Sequence, residues 1–136
     1  MSTRPSTKNV SLTFEIDDRA PALVRDFVGE LLAGHRRRTD ILVAISELVT
    51  NVVRHSPESG QASATVELDG EDIRIGVRQR SKPFMRSPEV ATGPSGRGLI
   101  IVESLADQWG VDLDGDTLEV WFEMLGGPSR LDPPPD

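Results

Sequence analysis

The chain predicts an α/β fold: a two-layer sandwich in which a mostly antiparallel mixed sheet carries about three helices on one face. Three observations carry that prediction. Apolar residues alternate with polar ones over residues 10–16 and again in two pairs of runs, each pair joined by an Asp-Gly step; a period of two marks a half-buried strand. Three other stretches repeat their apolar residues at helical spacing. The resulting order, strand, two helices, hairpin, irregular segment, helix, hairpin, places the helices on one face and leaves the other face of the sheet open to a partner.

Residues 1–9 are polar and contain Pro5, which predicts a flexible tail ahead of a single domain over residues 10–125. Val10, Leu12, Phe14 and Ile16 make the first strand. Asp17 and Asp18 are cap candidates for a helix over residues 19–32, with Ala20, Leu23, Val24, Phe27, Val28 and Leu31 inward and Gly34 as its stop. Thr39 or Asp40 caps a second helix that buries Ile41, Leu42, Ile45, Leu48, Val49, Val52 and Val53 and is limited by Ser56 and Pro57. Ala62, Ala64, Val66 and Leu68, the Asp69-Gly70 turn, and Ile73, Ile75 and Val77 form a hairpin.

From about residue 78 to 96 the periodicity disappears and Ser, Pro, Gly and Arg accumulate. So long an irregular connection in a small domain reads as a mobile lid. A third helix follows over about residues 98–108, then a second hairpin through Asp114-Gly115, with Leu118, Val120, Phe122 and Met124 inward and Trp121 on the opposite face. The tail GGPSRLDPPPD, residues 126–136, is Gly/Pro-rich and predicts disorder.

Composition removes several function classes. With 136 residues the chain can bury an ordinary core without staples, and it has no cysteine, so disulfides and thiolate metal sites are excluded. A net charge of -7 argues against direct nucleic-acid binding. The Arg36, Arg37, Arg38 cluster is read first as a solubilising helix end and second as a docking patch. His35 and His55 are far apart in sequence and give no metal cluster. No apolar run suggests a signal peptide or membrane span, which favours a cytoplasmic protein.

Chemistry concentrates in Ser46 to His55, SELVTNVVRH. Glu47 and Asn51 stand one helical turn apart and share a face at the edge of the apolar stripe. Taken alone, the pair reads first as a solvated helix face with Arg54 as an ion-pair partner. A second element, GRGL at Gly96 to Leu99, opens the third helix after the irregular loop. Backbone amides exposed at a helix start attract phosphate.

Together these stretches resemble the nucleotide site of the histidine-kinase-type ATPase superfamily, in its small anti-sigma-factor and serine-kinase branch. ELVTNVVRH looks like the N box, GRGLIIVESLADQWGV like the second glycine box, and VWF at Val120 to Phe122 like the last strand. The resemblance covers about residues 10–124. It implies ATP and magnesium as cofactors, Glu47 as general base, Asn51 as the magnesium ligand, and Gly96, Arg97, Gly98 and Leu99 at the phosphates. Arg54, His55, Gln79 and Ser81 would be further nucleotide-side residues. The branch's usual adenine-binding aspartate is replaced by Gln79, and its threonine near the last strand by Glu119, with Thr117 as the nearest alternative. A glutamine still accepts and donates on an adenine edge; a Gln79–Glu119 pair could instead suit guanine.

The resemblance implies a protein serine/threonine kinase of the anti-sigma-factor type, acting on a STAS-domain antagonist and binding a sigma factor or similar partner. A non-catalytic docking module that has lost or altered nucleotide binding is the alternative. Homodimerisation through the first helix is compatible with the resemblance, and the domain's own core explains that apolar face equally well. A sensor-kinase output domain is disfavoured, because nothing ahead of residue 10 resembles a phosphoacceptor helix.

Overall fold

Five strands and three helices are formed by residues 7–55, 60–80 and 97–131, the residues described by a computed structural model. In chain order they are β1 (Thr7–Glu15), α1 (Ala20–Leu31), α2 (Arg38–His55), β2 (Gln61–Asp69), β3 (Asp72–Arg80), α3 (Arg97–Leu105), β4 (Gln108–Asp114) and β5 (Thr117–Met124). The strands form one sheet in the order β1-β2-β3-β5-β4. Each described pairing is antiparallel. This is the expected two-layer sandwich, with β1 and β4 at its edges.

Register explains why the helices cover one face only. Leu12, Ala64, Val77, Val120 and Val111 align in one row across all five strands, and the central three are buried. One residue along each strand lies the row Thr13, Ser63, Arg78, Glu119 and Asp112. Because successive side chains alternate, every apolar residue of the first row meets the helices and every polar one of the second faces away. Both Asp-Gly steps close two-residue loops: Asp69 pairs with Asp72 and Asp114 with Thr117, with Gly70 at φ 63° and Gly115 at φ 60°. A side chain there would be strained.

α2 is the central helix, packed against α1 on one side and α3 on the other. Ile41, Ala44, Ile45 and Val49 are fully buried beneath it with Val24 and Val28 of α1 and Val102 of α3. Pro21 in the first turn of α1 needs no amide partner, and the Asp17 carboxylate accepts instead from the backbone N–H of Arg19, at 2.9 Å. Gly34, expected as the stop of this helix, has φ 82° just beyond it.

Several boundaries differ from expectation for physical reasons. β1 begins at Thr7, because Thr7, Lys8 and Asn9 continue the ladder against Asp69, Leu68 and Glu67. β3 extends through Arg80, so the first three residues of the expected lid, Arg78, Gln79 and Arg80, belong to the sheet, paired with Glu119, Leu118 and Thr117. The rest of that segment, 81–96, lies outside the described residues. α3 stops at Leu105, and Gln108 already belongs to β4. Of the expected tail, residues 126–131 are described and hydrogen-bonded to the body of the domain, while 132–136 fall outside the described residues.

Candidate functional site

α2 positions the two residues singled out by their spacing. Its charge pattern suits a helix, with Asp40 in the first turn and Arg54 and His55 in the last. The mid-helix hydroxyl of Ser46 is satisfied by donating to the Leu42 carbonyl at 2.7 Å. Asn51 is buried, with 7% of its surface exposed, while Glu47 and His55 are half-buried and Arg54 is exposed. A buried carboxamide one turn from a half-buried carboxylate combines a hard oxygen donor with a proton acceptor on one helix face.

The placement of α3 follows from contacts at the other end of α2. The Arg37 guanidinium is 4% exposed and donates to the Asp40 carboxylate at 3.1 Å, to the Leu105 carbonyl at 2.6 Å, and to Asp107 at 2.9 Å. The end of α3 therefore lies at the start of α2. The two helices pack together, and α3 extends about 12 Å from Leu105 back to Arg97 at 1.5 Å per residue. Leu99 in its first turn is buried. The backbone of Arg97 and Gly98 opens α3 as expected; Gly96 and Ser81 lie outside the described residues.

Gln79 is buried, 8% exposed, and pairs with Ala62 and Leu118, so it faces the helix layer. Glu119 lies on the other face of the sheet. It accepts from Arg78 at 3.0 Å and sits over Gly76. The two side chains are on opposite faces, so the expected pairing of Gln79 with Glu119 around one base is not formed. The alternation that puts Leu118, Val120 and Phe122 inward already puts Glu119 on the open face with Trp121, so the pairing implied by the resemblance ran against the strand period. Thr117, the alternative position, pairs with Arg80 at the sheet end, and both line an open hollow with Gln61, Ser63 and Arg78.

The cluster around Arg37 was missed from sequence. Asp40, read as a cap candidate, is instead fully buried: it accepts from Arg37, the Ser129 hydroxyl and, at 2.8 Å, the Arg130 backbone N–H. Asp107 accepts from Arg37, from Arg130 at 2.5 Å and from the Leu125 N–H at 2.7 Å. Burial by itself would raise both carboxyl pKa values, but these hydrogen bonds and neighbouring guanidinium charges hold both below the ordinary carboxylate value. Arg37 is thus a buried tie rather than a solvated helix end. Its partners lie up to 88 residues away, and no local pattern announces them.

No group of three or more His, Asp or Glu side chains among the described residues is arranged to hold a metal by itself. Magnesium needs no such cage, since it is commonly held by one or two protein oxygens together with phosphate and water; the buried Asn51 carboxamide fits that requirement. Among the described residues no helix is long and apolar enough to cross a membrane.

Comparison with known proteins gives three findings. A family model described as the histidine kinase-like ATPase domain matches residues 14–124. An uncharacterised protein of Streptomyces coelicolor is 32% identical over 88 residues, covering 62% of this chain and 84% of that one. The solved structure of the RsbU and RsbW domains of a Mycobacterium tuberculosis protein matches with a TM-score of 0.67 at 23% identity, over 93% of this chain and 35% of that one. The chain thus spans about a third of that solved structure's length, and the likeness is one of fold.

Proposed function

Because the chain belongs to the histidine kinase-like ATPase domain family, we propose that it is an ATP-dependent regulatory switch of the anti-sigma-factor type. The observation that carries the reading is the buried Asn51 carboxamide one turn from the half-buried Glu47 carboxylate on α2, the helix against which α3 packs. Asn51 would hold magnesium through its carboxamide oxygen, and the Arg97 and Gly98 amides would meet the phosphates at the helix start. Bound magnesium neutralises charge on the phosphates. Glu47 would accept the proton of an attacking hydroxyl. Gln79, buried on the helix side, is the candidate for the adenine edge.

On this reading the phosphoryl acceptor is a serine of a STAS-type antagonist, and the second partner is a sigma factor or comparable protein, in the cytoplasm. Calorimetric titration with magnesium and ATP, ADP, GTP and GDP tests the first step. Adenine-nucleotide binding is expected, weakened about tenfold or more in Asn51→Ala, which loses a ligand oxygen. Silence with all four nucleotides overturns the ATP reading. Transfer of labelled phosphate to a validated antagonist, abolished in Glu47→Ala, tests the kinase step.

The second reading, a docking module without nucleotide chemistry, is favoured by one observation: a neutral amide, Gln79, occupies the buried position where the branch carries a carboxylate. It predicts that Glu47→Ala and Asn51→Ala leave partner capture unchanged in a pull-down.

A further inference from the structure

The segment after β5 makes bonds that its composition does not foretell. Gly126 donates its backbone N–H to Asp72 at 2.7 Å, and Gly127 turns the chain at φ 141°. Ser129 and Arg130 then both reach Asp40 in the first turn of α2. The Arg130 side chain continues across to the Ala106 carbonyl at 3.0 Å and to Asp107, just beyond the end of α3.

We propose that residues 126–131 are a releasable strap, clamping the start of α2 to the end of α3 and thereby setting how tightly the far ends of the two helices hold a nucleotide. The affinity half rests on the nucleotide reading above; the clamping half does not.

Two features make the strap releasable rather than part of the core. The Arg130 side chain is 44% exposed, whereas Arg37 beneath it is 4% exposed. Peeling the strap away also leaves each acid a partner, since Asp40 and Asp107 both keep Arg37 while water replaces Ser129 and Arg130. No buried charge is orphaned, so the opened arrangement is accessible without unfolding. Coupling follows from helix rigidity. Asn51 lies 13 residues from the start of α2, about 20 Å along the same rod, and α3 packs on that rod. A change of angle at the clamped ends moves the phosphate-facing ends.

The Ser129→Ala, Arg130→Ala double variant removes the strap's side-chain bonds and spares Arg37, Asp40 and Asp107. Hydrogen exchange followed by mass spectrometry, with and without magnesium-ATP, is the test, paired with calorimetric titration of ATP. Exchange at residues 38–42 and 103–107 is expected to rise about tenfold, the loss of one to two net hydrogen bonds. ATP affinity should shift at least about threefold, a modest coupling between sites. Unchanged exchange overturns the strap. Raised exchange with unchanged affinity overturns the coupling. Should the parent protein bind no nucleotide, the nucleotide reading fails and coupling is judged by exchange at residues 99–102: a rise there supports it, and a rise confined to the strap's own contacts overturns it.

Discussion

The same chemical pair, arginine with carboxylate, occurs in two regions of the molecule and does different work in each. At the start of α2, Arg37 and Asp40 are 4% and 0% exposed, and their remaining donors and acceptors are taken up by Asp107, Leu105, Ser129 and Arg130. On the open face of the sheet, Arg78 meets Glu119 at 3.0 Å and Arg74 meets Glu123 at 3.1 Å, but Arg78 is 58% and Arg74 35% exposed. Water screens the second set and hardly touches the first. The lesson is that position decides energetics: the buried cluster fixes which helix ends meet, while the surface ladder keeps an uncovered sheet face polar and soluble.

Breaking the buried cluster should have the largest effect. Arg37→Ala leaves the buried Asp40 carboxylate, and the more exposed Asp107, with only Arg130 and neutral donors, a loss of about 3 kcal/mol at the lower end for a split buried pair; urea unfolding with an unchanged m-value measures it. Acid attacks the same cluster from the other side. Asp40 and Asp107 have depressed folded pKa values, so their stabilisation is fully present above the unfolded value, about 3.9, and is lost as pH falls through the lower folded values. Arg37→Ala should flatten that acid limb of the stability curve, and an unaltered limb would assign the acid sensitivity elsewhere.

On the open face, packing should matter more than charge. Trp121 lies flat against Gly110, where an added Cβ would approach the indole to 2.7 Å, and the Arg74 guanidinium stacks over the ring at 4.1 Å. Gly110→Ala should cost about 1 kcal/mol, since a rigid ring cannot give way as a flexible chain would. Arg78→Ala should change stability by less than about 1 kcal/mol, with the difference shrinking in high salt. An Arg78→Ala effect as large as that of Arg37→Ala would erase the contrast between the two regions.

Much of the fold was legible because its signals are local. The alternation of Ala62, Ala64 and Val66, the Asp-Gly steps, and the spacing of Ile41, Ile45, Leu48 and Val52 each lie within a single element, and all reappear in place. Glu47 and Asn51 were found by the same means, since residues four apart on a helix share a face in any context. Facing of the last strand was legible too, since the alternation that puts Leu118 and Val120 inward puts Glu119 on the open face with Trp121; the pairing of Glu119 with Gln79 came from the resemblance and ran against that period.

What the sequence by itself determined is therefore the inventory of elements, their order, the two-layer architecture, and the helical pair at the candidate site, because each depends on periods of two or 3.6 residues. The tertiary structure alone decided the meeting of the Arg37–Asp40 pair, itself three positions apart, with Asp107 and Arg130, through contacts that span 23 to 90 positions, and the attachment of residues 126–131 that composition assigns to disorder. Charge pairs carry no periodicity, and their strength depends on burial, which exists only after the chain has folded.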